Sequence, residues 1–388
     1  MLKRLRTKNF KSLRNLDLSP GLLTVLVGPN MGGKSNVLDV LRFLYESWFP
    51  QPGTSGPLNA LNQRGGIDEV LWKGSQETLV AIDIEFTDPA QPGRSYEYGI
   101  ELVGGAGGFV NIQTERLILR EDSEQYPLIM HDSSGRWLNN AKSERLVSVH
   151  AYGSAMELAP PNWDAYPVKS FVQNWRFYQL VPYLMKQVNA VTAGGVLQPH
   201  GDNLSAWLMW LQTRAPESFR RITEVAQDVF PSIRRLLSWP TQQGTVYLTS
   251  EEQNLIRTTP LFQMSDGEVV FIALLSLICA PDDLGGTLFC IEEPENYLHP
   301  KLLETLVGLL RQTQQEAVDR GVPPSQVLLT TQSPYLVNQM SLDEIIWVDK
   351  KDGETRVVRP SDKTHLRQLI EDKALGLGDL MFTGALGD

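Results

Sequence analysis

Short alternations of apolar and polar residues open the chain at 5–10 and 13–18, and a run that is apolar except for Thr24 follows at 22–27. Alternation marks a strand with one buried face, whereas a continuous run marks a strand buried on both. From Lys34 the period changes. Val37, Leu38, Leu41, Leu44, Tyr45 and Trp48 recur at helical spacing and predict a helix over Lys34–Trp48. Residues 50–66 are rich in Pro, Gly, Asn and Gln and read as a loop. Strand-like stretches at 79–86, 96–103, 110–119 and 127–131 are separated by turn signals such as Asp88-Pro89 and the glycines of 104–108. They predict an antiparallel β layer attached to the buried strand.

From about 160 to 240 the pattern is mostly helical and dense in aromatics: Trp163, Tyr166, Phe171, Trp175, Phe177, Tyr178, Tyr183, Trp207 and Trp210. Such residues build the core of a small helical lobe, or alternatively a docking platform for a partner protein. The C-terminal third alternates between element types. A helix after Ser265 leads to a buried strand at 287–291, and a second helix begins at Pro300. A strand at 327–331 follows, then a helix opened by Ser333-Pro334, with Ser as N-cap and Pro in the first turn. Segments 345–349 and 355–359 flank Asp352-Gly353 and predict a hairpin. Buried strands alternating with helices indicate an α/β parallel sheet. The expected division is an N-terminal lobe over 1–159, an insertion over 160–240 and a C-terminal lobe over 241–388.

Composition narrows the class. At 388 residues, 42% hydrophobic and 21% charged, the chain has ample material for a core. No apolar run approaches the roughly 20 residues needed to span a bilayer, so a cytoplasmic protein is expected. Cys279 and Cys290 lie in apolar segments and read as core residues, while the five histidines show no zinc spacing. A net charge of −10 argues against wholesale binding of nucleic acid. The local exception is residues 1–14, where Lys3, Arg4, Arg6, Lys8, Lys11 and Arg14 occur without an acid. A solvated basic edge strand explains them, and a phosphate-contacting edge is the sharper alternative.

The candidate chemistry sits at three places. Gly28-Pro29-Asn30-Met31-Gly32-Gly33-Lys34-Ser35 fits the phosphate-binding pattern G-x-x-x-x-G-K-[ST], between an apolar strand and a helix. Glycines let backbone N–H groups converge on phosphates at a helix N-terminus, Lys34 adds a point charge, and the Ser35 hydroxyl suits Mg²⁺. The nucleotide-binding set is therefore Gly28, Pro29, Asn30, Met31, Gly32, Gly33, Lys34, Ser35 and Asn36, with ATP and Mg²⁺ expected. Far downstream, an apolar strand ends in Glu292 and Glu293. Glu292 is placed to hold Mg²⁺ through water, and Glu293 to orient or deprotonate the attacking water. Between these, Ser265-Asp266-Gly267-Glu268 opens an apolar helix whose positive end can meet a γ-phosphate. The same four residues also make an ordinary capping box. Because the Gly28 loop already holds a phosphate, a nucleotide at this second helix end belongs to another subunit.

Together these residues resemble the ATPase heads of the SMC, RecF and OLD class within the ABC superfamily, and most closely the stand-alone bacterial AAA-type ATPases, many of them linked to anti-phage defence. The likeness runs from Asn9-Phe10-Lys11-Ser12 through the Gly28 loop, Arg64-Gly65-Gly66 and Met264-Ser265-Asp266-Gly267-Glu268. It continues through Ile291-Glu292-Glu293-Pro294-Glu295-Asn296, Leu298-His299-Pro300 and Thr330-Thr331-Gln332-Ser333-Pro334. The tail Leu375-Gly376-Leu377-Gly378-Asp379-Leu380 with Gly384-Ala385-Leu386-Gly387 also fits. The resemblance implies an α/β P-loop NTPase with a parallel core sheet, an antiparallel β layer and a helical insertion. It makes Glu292 the Walker B acid, Glu293 the catalytic glutamate, Asn296 part of the D-loop and Gln332 the switch residue. Three departures stand out: Glu292 replaces the commoner Asp, Gln332 stands where many relatives carry His, and Met31-Gly32 replace more usual loop residues. Gln332 can hydrogen-bond a phosphate oxygen but cannot become cationic, so slow or partner-stimulated hydrolysis is expected. Gln63 is a weak candidate for the Q-loop.

The leading expectation is an ATPase acting as an ATP-gated homodimer, with two ATP molecules held between the Gly28 loop of one subunit and Ser265 to Gly267 of the other. Its output would be control of a separately encoded effector in anti-phage defence. Only residues 333–388 follow the switch, without an acidic Toprim cluster, so any nuclease is expected on another protein. A RecF-like DNA-repair clamp and a non-hydrolysing ATP-dependent scaffold are the competing readings. Nucleic acid is an open partner and a membrane is not expected.

Overall fold

The computed structural model describes residues 1–88, 91, 93–105, 110–132, 135–141, 145–149, 153–281, 286–363, 366, 376–382 and 385–387. Parts of the 104–108 turn, and Leu375 and Gly384 of the tail, lie outside the described residues. Two compact units result: Met1–Trp175 with Ser341–Asp388, and Arg176–Met340.

In the first unit an eight-stranded sheet runs in the order Leu13–Leu18, Leu2–Phe10, Leu79–Thr87, Ser95–Gly104, Val110–Glu121, Glu124–Asp132, Gly135–Asn139, Arg145–Val149. Among the described residues its neighbouring strands pair antiparallel. The expected β layer is there, extended by two short strands beyond 131. Alternation sets its faces: Val80, Ile82, Ile84 and Phe86 of one strand are buried while their neighbours are half-exposed. The buried stripe of Lys34–Trp48 meets this apolar face through aromatic contacts. Trp48 lies edge-on to Tyr98 with centroids 4.9 Å apart, and Phe10 lies against Phe43 at 5.8 Å. Such pairs add about 1 kcal/mol each beyond the apolar area they bury. A second, smaller sheet pairs Leu23–Val27 in parallel with Ile345–Lys351, whose antiparallel partner is Glu354–Val358. Asp352 and Gly353 have φ of 53° and 83°, the left-handed pair that a tight two-residue hairpin turn requires.

The second unit carries another parallel pair, Leu288–Glu292 with Gln326–Thr331, joined through the helix Pro300–Asp319. The helix Asp266–Ile278 is apolar nearly all round and buried over most of its length, as that composition requires. Both cysteines are buried, and burial pushes the Cys279 thiol up to about 11, which suits an unreactive core residue. The segment 160–240 is less helical than its pattern suggests. After Leu204–Arg214 and Pro216–Val229 the chain forms Ile233–Pro240, which pairs with Thr245–Glu252. A bulge between Ile233 and Arg235 shifts the register there, so strict alternation fails and the strand is hidden from a period-2 reading. Half of the aromatics of 160–240 are core: Trp163, Trp175, Phe177, Tyr178, Trp207 and Phe219 are buried, whereas Tyr183 and Trp239 are exposed.

The basic edge is paired with acids. Arg4 meets Asp17, Arg6 meets Glu85, Lys8 meets Glu77, Lys11 meets Asp39 and Arg14 meets Glu354. The exposed pairs Arg4–Asp17 and Lys8–Glu77 add little stability. They do lower the positive field that the bare sequence of residues 1–14 suggests.

Candidate functional site

The strand Leu23–Val27 is buried throughout and delivers the chain to Gly28 beside the Ile345–Lys351 strand. A Cβ at Gly28 would sit 1.9 Å from the Val348 carbonyl oxygen, so no other residue fits. Pro29, Asn30 and Met31 are exposed, Met31 at 88% and with φ of 64°. Gly33, at φ 104°, turns the loop into the helix Lys34–Trp48. That helix has no acid in its first turn, so its N-terminal partial positive charge is not offset locally. Lys34 is buried and its Nζ donates to the carbonyls of Gly28 (2.8 Å) and Pro29 (2.9 Å), inside its own loop. Ser35 is exposed at the helix start. The Asn36 amide is committed to Ser12 Oγ at 2.6 Å.

Behind this loop stands an ion network that sequence reasoning saw only as Arg64-Gly65-Gly66. The Arg64 side chain is 7% exposed and grips Asp39 of the loop helix with Nη2 at 2.6 Å and Nε at 3.0 Å. Its Nη1 reaches Glu46 at 2.6 Å, and Lys11 Nζ reaches Asp39 at 2.6 Å. Burial opposes the charge on Asp39, but the Arg64 hydrogen bonds and charge, then those of Lys11, outweigh it and hold the carboxyl below the usual range. Gln63 caps the helix Gly56–Asn62 and its side chain is exposed.

On the second unit, Glu292 ends its strand opposite Thr330, and Glu293 follows at φ 43°, a left-handed conformation costly for a side-chain-bearing residue. The Glu293 N–H donates to the Thr330 carbonyl at 3.0 Å, which fixes the turn. Its Oε2 accepts from Asn296 Nδ2 at 3.1 Å and is approached by Gln332 Nε2 at 3.5 Å. Glu293, Asn296 and Gln332 are thus brought together as their motifs suggest. Ser333 has the extended backbone of an N-cap, but its side chain makes no capping bond and the helix it opens spans only Pro334–Val337.

Glu295 is the acid the sequence reading passed over. Its Oε1 accepts from Thr331 Oγ1 at 2.5 Å and from the Gln332 N–H at 3.1 Å, strapping the switch segment to the acidic turn. The other oxygen, Oε2, is buried and has no hydrogen-bond partner among the described residues. Burial pushes this carboxyl above the usual range, the Thr331 and Gln332 bonds oppose that, and the Glu293 charge adds to it. A native pKa above the unfolded value means stability that is complete below the ordinary carboxyl pKa of about 4.3 and declines as pH rises through the raised value. Glu295→Gln is expected to flatten that decline, measured as melting temperature from about pH 4 to about pH 7. An unchanged slope would exclude Glu295 as the titrating group.

At the third place the capping box is real: Ser265 Oγ accepts from Glu268 N at 3.2 Å and Ser265 N donates to Glu268 Oε2 at 2.7 Å. Ser265 and Asp266 are exposed, and Asp266 pairs with Lys186 at 2.5 Å. A Cβ on Gly267 would lie 2.9 Å from the Tyr297 carbonyl, so the helix start packs on the turn that follows the acid pair.

The mixed α/β architecture, with a glycine loop feeding a helix from a buried strand, is the P-loop NTPase fold found in SMC head domains. The chain belongs to the family described as "AAA domain, putative AbiEii toxin, Type IV TA system", which matches residues 23–338. Among solved structures it is similar to an SMC head bound to the C-winged helix domain of ScpA (TM-score 0.55, 15% identity, 92% of this chain and 97% of that one). It is also similar to an Smc head with an extended coiled coil bound to the C-terminal domain of ScpA derived from Pyrococcus furiosus (TM-score 0.53, 13% identity, 95% and 99%). The "OLD nuclease" of Thermus scotoductus is 44% identical over 50 residues, 13% of this chain, and the chain matches 10% of that protein's length.

Proposed function

We propose that this chain binds and hydrolyses ATP as an ATP-gated homodimer that controls a separate, toxic effector in anti-phage defence. The observation that carries the nucleotide reading is the loop itself: Gly28 seated against a carbonyl, a helix start without acids, and Lys34 within the loop. In this reading the loop amides from Asn30 to Ser35 and the Lys34 ammonium hold the β- and γ-phosphates. Ser35 and Glu292 would hold Mg²⁺, which supplies charge neutralisation at the phosphates when bound. Hard oxygen donors suit that ion, and Mg²⁺ commonly takes only one or two protein ligands beside phosphate and water. Glu293 accepts the proton of the attacking water, held by Asn296 and aided by Gln332, as the bond between the γ-phosphorus and the β-bridging oxygen breaks. Ser265, Asp266, Gly267 and Glu268 present their helix end to the ATP of a second copy.

The effector part of the proposal draws on the family description, which names a toxin and a type IV TA system, and on the short match to a nuclease. Among the described residues no helix is long and apolar enough to cross a membrane. Lys34→Ala is expected to weaken binding of Mg–ATP by at least about 100-fold, since it removes a charge from the phosphates. Equilibrium titration with a fluorescent ATP analogue measures it, and equal affinity in both proteins would remove the loop from the mechanism.

A further inference from the structure

Beneath the phosphate loop, three distant segments meet through side-chain hydrogen bonds. Asn36 Nδ2 donates to Ser12 Oγ at 2.6 Å, Ser12 Oγ lies 2.6 Å from Thr355 Oγ1, and Thr355 Oγ1 donates to the Gly32 carbonyl at 2.9 Å. Thr355 has one hydroxyl proton, and the Gly32 carbonyl takes it. The shared proton between the two hydroxyls therefore comes from Ser12, and the chain runs one way: Asn36, Ser12, Thr355, Gly32. Both hydroxyl residues are buried. The backbone reinforces the arrangement, with Thr355 N–H donating to the Ser12 carbonyl at 2.7 Å.

We infer that Thr355 is a positioning residue of the nucleotide site, holding the Gly32-Gly33 peptide in the orientation that presents the Gly33 N–H to phosphate. The inference rests on the nucleotide reading of the loop. In a trans peptide the carbonyl and the next N–H point in opposite directions. Pinning the Gly32 carbonyl down toward Thr355 therefore turns the Gly33 N–H up, away from the protein. Two successive glycines resist a flip of that peptide weakly, because neither has a Cβ to restrict it. An external anchor is needed, and Thr355 Oγ1 supplies it. Closeness is enforced as well, since a Cβ on Gly33 would fall 2.0 Å from the same oxygen. Ser12 and Asn36 orient the anchor by filling its acceptor side, which gives the Ser12 of the N-terminal Asn9-Phe10-Lys11-Ser12 segment a defined task.

Thr355→Val removes the hydroxyl and keeps the shape, so it is expected to weaken binding of Mg–ATPγS about tenfold, while Thr355→Ser keeps the wild-type affinity. Ser12→Ala, one link further away, should weaken it about threefold in the same titration. Calorimetric titration of all four proteins, with melting temperature recorded alongside, is the test. Equal affinity of Thr355→Val and wild type, or equal loss in the Val and Ser variants, would overturn the positioning role and leave the nucleotide reading standing. A wild-type protein that does not bind Mg–ATPγS would overturn both.

Discussion

Glutamine in place of Glu293 is expected to lower ATP turnover by about 10²- to 10⁴-fold, the range a positioned general base contributes, while nucleotide binding persists. The substitution is nearly isosteric. A glutamine oxygen can still accept from Asn296, which now donates to Glu293 Oε2 at 3.1 Å, and the turn itself is held by backbone bonding to Thr330. What is lost is the ability to take a proton from water. The strained left-handed backbone at this position, maintained at about 1–3 kcal/mol, is a local sign that the side chain's direction matters more than ease of folding. With hydrolysis blocked, the ATP-bound dimer should accumulate. Light scattering after gel filtration, with and without Mg–ATP, would show a doubling of mass for Glu293→Gln. A protein that stays monomeric under saturating ATP would end the sandwich proposal, and unchanged turnover would end the assignment of Glu293.

A comparable loss, in stability instead of chemistry, is expected for Glu115→Ala. Glu115 is buried in the eight-stranded sheet and bonded to Arg136, itself 4% exposed. It also accepts from Tyr98 Oη at 3.0 Å, Ser154 Oγ at 2.6 Å and the Ala155 N–H at 2.9 Å. Truncating the acid breaks a buried pair and strips an acceptor from several buried donors, which costs about 3–5 kcal/mol. That is a large part of the stability of an ordinary domain. Denaturant unfolding of the whole chain should show the loss as a shifted midpoint of the transition that reports the first unit. A shift under about 1 kcal/mol, the size of an exposed pair, would show that water reaches the pair.

Local chemistry made much of this molecule legible. The Gly28 loop needs a buried strand before it and a helix after it, and both are written as hydrophobic period, nearly continuous at 22–27 and helical from Lys34. Asp352-Gly353 gave the hairpin because only certain residues tolerate two left-handed positions in succession. The capping box at Ser265 was equally readable, since both its bonds lie within three residues. Ile233–Pro240 was not, because its bulge breaks the alternation that identifies a strand.

What the sequence by itself determined, then, is everything set by neighbours along the chain: the phosphate loop, the acid pair, the turns and the α/β alternation. Only the tertiary structure decided which distant groups serve them. Thr355 reaches Gly32 and Ser12, Arg64 clasps Asp39, Glu295 holds the Gln332 segment, and the basic residues of the first strands meet acids from other elements. A hydroxyl, guanidinium or carboxylate has no periodicity. Its partner is fixed by folding in three dimensions, at sequence separations where no spacing rule applies.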